Sequence, residues 1–123
     1  MDLLTTFKFA LQQALEEVGF SAEKQEIYIN KIVISVINKT FSDKINTLSE
    51  NEQQMIQKYI EADDAEKLAN HFREIFNLQE YGYKLKKNFA DMYNQCILTI
   101  SKKASNQQKE VLFKMQNIFN ENF

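Results

Sequence analysis

The sequence has no proline, two glycines and one cysteine in 123 residues. Each scarcity excludes something. Without proline and with little glycine, the chain lacks the turn chemistry that a fold of many short strands requires. A single thiol, Cys96, cannot close an intramolecular disulfide, so a cross-linked secreted scaffold is excluded. Arginine occurs once, as Arg73, against 14 lysines. Arginine is the residue of bidentate phosphate and base-edge recognition, so its scarcity and the net charge of −2 disfavour a dedicated nucleic-acid binder. The lysine bias comes with 12 Asn, 11 Gln and 12 Ile, the usage of an AT-rich genome, and is weak evidence about function. Apolar runs such as Ile32-Val33-Ile34 stop far short of the roughly 20 residues a membrane span needs. Lys8 interrupts the first apolar residues and no basic segment precedes them, so no signal peptide is expected. The expected setting is a reducing cytoplasm.

What is present is 44% apolar and 26% charged sequence, the profile of one small globular domain with enough chain for a real core. Leu4, Phe7, Leu11, Ala14, Leu15 and Val18 recur in steps of three and four, which predicts a helix over about 2–18. Gly19 stands where a left-handed residue ends a helix. Ser21 can cap the next segment, with Glu23 in its first turn. The β-branched stretch from Ile27 to Phe41 could be a strand by propensity. No partner strand exists, and Ile34, Ile37, Phe41, Ile45 and Leu48 keep helical spacing, so a long central helix over about 22–47 is expected, with residues 40–43 the place for a kink.

Ser49-Glu50-Asn51-Glu52 has the pattern of a capping box and opens a short helix with Met55, Ile56, Tyr59 and Ile60 inward. Asp63-Asp64-Ala65-Glu66 repeats it and opens a helix burying Leu68, Phe72, Ile75 and Phe76. Two such starts so close predict a tight hairpin of about 50–61 and 64–76. Asn77 can cap a fifth helix whose inward set is Leu78, Tyr81 or Gly82, Leu85, Phe89, Met92, Cys96 and Ile100. Ser105 can cap a last one, with Val111, Leu112, Met115, Ile118 and Phe119 inward. The expectation is an all-α single domain over 1–123, a bundle of five or six antiparallel or orthogonal helices.

Catalytic chemistry finds no support. There is no Gly-rich phosphate loop and no nucleophile elbow. His71 is the sole histidine, and the order His71-x-x-Glu74 reverses the pair a di-iron bundle needs. One histidine and one cysteine cannot anchor zinc. His71 reads as a boundary or surface residue and Cys96 as a small buried one. Glu61, Asp63, Asp64 and Glu66 lack calcium-loop spacing and read as helix caps. No cofactor, metal or catalytic residue is expected.

Binding has three candidates. Lys84, Lys86, Lys87, Lys102 and Lys103, with Tyr83 beside them, form a possible basic surface, for which a solvated lysine face is the plainer explanation. Residues 49–80 carry eight acids and three bases, and residues 81–123 seven bases and three acids, so the charges either complement each other or make the molecule polar. The phenylalanines of the C-terminal stretch, Phe119 and Phe123, could dock on the bundle or on a partner. The first helix could exchange between protomers or lie on a membrane, although Gln12, Gln13, Glu16 and Glu17 on its polar face oppose the membrane.

The segments Leu48-Ser49-Glu50-Asn51-Glu52, Ala62-Asp63-Asp64-Ala65-Glu66-Lys67-Leu68 and Phe76-Asn77-Leu78 resemble a pattern in short helical proteins of candidate-phylum bacteria. The resemblance covers about residues 10–95, and the proline that usually follows the hairpin is missing here. It implies an all-helical fold and assigns no residue roles. The function expected is that of a small cytoplasmic interaction protein, its partner a protein or a second copy of the chain. The alternatives are a bundle carrying an apolar ligand, and a weak nucleic-acid accessory protein using the lysines of 81–114.

Overall fold

The computed structural model describes residues 2–76 and 78–123, with side chains for all of these except 78–80. The fold is all-α: six helices and, among the described residues, no strand. In chain order they are α1 (Leu3–Glu17), α2 (Ala22–Ile45), α3 (Glu50–Glu61), α4 (Ala65–Ile75), α5 (Leu78–Ser101) and α6 (Asn106–Asn122). The expected Asn77 cap and the inward Leu78 side chain lie outside the described residues.

Local chemistry explains the boundaries. The Thr5 amide donates to Asp2 Oδ1 at 2.7 Å and starts α1. Gly19, at φ +89°, ends it: the Gly19 amide donates to Glu16 O and the Phe20 amide to Leu15 O, both at 3.0 Å. This pair of bonds satisfies two carbonyls of the last turn and needs the left-handed residue that Gly19 supplies. Ser21 Oγ accepts from the Lys24 amide at the start of α2. That helix runs unbroken through residues 40–43, where the sequence suggested a kink. Thr40 is buried there, yet satisfied. Its Oγ1 donates to Val36 O at 2.7 Å and accepts from Asn88 Nδ2 at 2.8 Å.

The α3–α4 hairpin forms with one correction. The cap of α4 is Asp64, whose Oδ1 accepts from the Lys67 amide at 3.1 Å, one residue later than the acidic repeat suggested. Asp63 is instead the left-handed residue that ends α3, at φ +52°. Its amide donates to Ile60 O, and that of Asp64 to Tyr59 O. Asp is among the few residues besides Gly that tolerate this conformation. At Ser49 only the serine half of the box forms, from the Glu52 amide at 3.2 Å. The reciprocal pair is found at α6, between Ser105 and Gln108.

The chain divides into two compact units, with the divisions inside α2 and α5. The first, Met1–Ile29 with Phe89–Phe123, holds α1 and α6. Its core includes Phe7, Leu11, Leu15, Phe89, Tyr93, Ile97, Leu112 and Phe119. Phe7 meets Phe89 at a ring distance of 4.6 Å. Each such side chain contributes roughly 1.5–3 kcal/mol by leaving water. Asn94 accepts from Gln116 Nε2 at 2.8 Å and from Asn120 Nδ2 at 3.0 Å, which pins α5 to α6.

The second unit, Asn30–Asn88, centres on an aromatic stack. Phe41 stacks on Phe72 at 4.8 Å and on Phe76 at 5.0 Å, and Tyr81 closes on Phe41 at 4.9 Å. Such pairs add about 0.5–1.5 kcal/mol beyond burial. Ile56 and Leu68 bring α3 and α4 into the same core.

Several inward expectations change. Met55 and Ile118 are exposed, while Tyr93 and Ile97, absent from the expected set of α5, are buried. Among the described residues no helix is long and apolar enough to cross a membrane.

Candidate functional site

The basic residues singled out in the sequence belong to two different units. Tyr83, Lys84, Lys86 and Lys87 are exposed on the part of α5 that belongs to the second unit. At roughly 100° per residue they spread over an arc of about 160°. Lys84 is also engaged: its Nζ lies 3.5 Å from Asp43 Oδ2, and this ammonium, with the Ser42 hydroxyl, holds the Asp43 carboxyl below its usual range. Lys102 and Lys103 follow α5 in the first unit, in the turn before α6.

The groups weighed for catalysis, His71 and Cys96, belong to different units. His71 is half-buried, edge-on to Tyr59 at 5.7 Å, and its Nε2 has no hydrogen-bond partner. Cys96 is buried, which pushes its thiol up. Burial, with the neighbouring Cys96, pushes Tyr28 and Tyr93 up to about 12. A nucleophilic cysteine needs the opposite shift. Among the described residues no group of three or more His, Cys, Asp or Glu is placed to hold a metal ion.

The feature that stands out lies where α1 meets α6 in the first unit. Tyr93 and Phe119 stack at 3.9 Å, and Phe123 stacks on Phe119 at 4.5 Å. The aromatic end of the sequence therefore docks on its own unit. These rings form part of a groove of about 230 Å³, with Phe9, Ala10 and Met115 along its sides. Two of its lining side chains face solvent: Phe9 is 54% and Ile118 62% exposed. The lining is overwhelmingly apolar; Thr6, Gln13 and Asn122 supply its polar atoms.

Position on the helix explains Phe9. It follows Phe7 by two residues, about 200° around α1, so it cannot share the buried face of Phe7, Leu11 and Leu15. Ile118 precedes Phe119 by one residue and points about 100° from it. A large aromatic outside the apolar stripe of α1 was the available sequence signal for this surface.

No protein-family model matches the chain, and no curated protein or solved structure matches it.

Proposed function

We propose that the chain is a small interaction protein that acts by binding rather than by catalysis, through the α1–α6 face, with a second copy of itself as the first partner. The observation that carries this is the pairing of exposed Phe9 and Ile118 with the apolar groove they line. Size favours a protein partner. Small-molecule sites usually have about 300–1,000 Å³, whereas a groove of about 230 Å³ suits one or two side chains from another surface. Large exposed apolar side chains beside a groove are what association buries. A face with both projecting side chains and a recess can match its own copy about a twofold axis. A reducing cytoplasm suits a chain whose single cysteine stays a buried thiol. Nucleic-acid binding draws little support, since arginine occurs once, the net charge is −2 and Lys84 is paired with Asp43.

Sedimentation velocity over a wide concentration range tests the proposal. The expected outcome is a concentration-dependent rise in mass that Phe9→Glu with Ile118→Glu abolishes while helicity is kept. A single species of monomer mass at every concentration would overturn self-association.

A further inference from the structure

We infer that the first unit also holds a site for a free medium-chain fatty acid, in the cleft beneath the turn between α5 and α6. The cleft has about 440 Å³, within the range of small-molecule sites. Its walls are apolar: Phe20 and Tyr28, packed edge-to-face at 5.8 Å, with Val18 and Ile100. Lys102 and Lys103 line its rim.

Three observations select an apolar body carrying one negative charge. First, Lys102 and Lys103 form no ion pair among the described residues, so two ammoniums stand beside an apolar wall without a counter-charge. Second, Ala104 and Gln108 also line the cleft, which places the start of the 17-residue helix α6 against it. The positive end of the helix dipole adds to the lysine field. Third, the remaining polar groups are occupied. Gln108 Nε2 donates to Glu17 O at 3.2 Å and its Oε1 accepts from the Ser105 amide at 2.9 Å. Thr99 Oγ1 donates to Gln95 O at 3.0 Å. Burial, with the neighbouring Cys96, keeps the Tyr28 hydroxyl protonated at neutral pH. A sugar or nucleoside would find few free partners here. An alkyl chain against Phe20 and Tyr28 with its carboxylate between the lysines needs none of them.

The test is titration of the full chain with decanoate, followed by NMR, with decanol and decyltrimethylammonium as uncharged and cationic comparators. Saturable shifts are expected at Thr99, Ile100, Ala104 and Gln108 and on the Phe20 and Tyr28 rings. Decanoate should bind most tightly, and Lys102→Gln with Lys103→Gln should weaken it about tenfold, the order that two exposed charge pairs supply together. These lysines are surface residues, so the variant keeps its fold. Equal binding of decanol, an unchanged double variant, shifts confined to the α1–α6 groove, or no saturable shift would each overturn the inference. Binding to anionic phospholipid vesicles without binding of free decanoate would overturn it too, assigning the lysines to a membrane surface.

Discussion

Two phenylalanines of identical chemistry and opposite burial provide a quantitative check on the architecture. Phe72 is 2% exposed and stacks on Phe41 at 4.8 Å and on Phe76 at 5.3 Å. Phe72→Ala removes the ring, its stacking and its packing volume, and substitutions of this kind cost about 3–5 kcal/mol. Phe9 is 54% exposed. Full burial of such a side chain contributes roughly 1.5–3 kcal/mol, so half-burial leaves about 1 kcal/mol to lose. Alanine returns about 0.5 kcal/mol through its better helix propensity. The net cost of Phe9→Ala is therefore about 0.5 kcal/mol. Urea unfolding followed by circular dichroism measures both, at a protein concentration low enough that association does not contribute. The expected order is a large loss for Phe72→Ala and a small one for Phe9→Ala. Equal losses, or a larger one at Phe9, would refute the assignment of Phe72 to a core and Phe9 to a surface.

Gly19→Ala should destabilise by about 1–2 kcal/mol in the same assay, because φ +89° is strained for any residue with a Cβ even though open space surrounds the site. Asp43 should titrate below an ordinary carboxyl in NMR, and Lys84→Gln should move it back up. A carboxyl with a lowered folded pKa stabilises above its unfolded pKa, and that contribution disappears as pH falls through the folded value. Tyr93 shows the opposite sign. Its folded pKa of about 12 exceeds the ordinary 10, so its contribution is complete below pH 10 and is lost as pH rises towards 12. The loss is at most about 3 kcal/mol, and absorbance titration combined with unfolding at each pH measures it.

The helices were legible in the sequence because their signals are local. Ser21, Ser49 and Ser105 accept the amide bonds expected of caps, and Gly19 adopts the expected left-handed conformation. The Asp63–Asp64 cap was misplaced by one residue because two adjacent aspartates can each serve, and only the closing bonds of α3 decide which one becomes left-handed. Burial along α5 was less legible. The stripe through Phe89 and Cys96 is apparent from the spacing, but Tyr93 and Ile97 occupy the adjoining stripe and are buried too. Met55 and Ile118 have the right spacing and are exposed, because period alone does not fix how wide an arc the neighbours cover.

The candidate surfaces were only partly legible. Lys102 and Lys103 were singled out for their charge, but their apolar neighbours Phe20 and Tyr28 lie more than 70 residues away in sequence. The groove between α1 and α6 joins the two ends of the chain, which periodicity within one helix cannot reveal. Asn88 and Thr40, hydrogen-bonded across 48 positions, show the same limit.

The most direct test of the central claim is a dilution series followed residue by residue in heteronuclear NMR spectra. The account predicts that resonances of Phe9, Ala10, Met115 and Ile118 shift with concentration while those of α3 and α4 stay fixed. Concentration-independent spectra throughout, or shifts confined to α3, α4 and the lysines of α5, would contradict it.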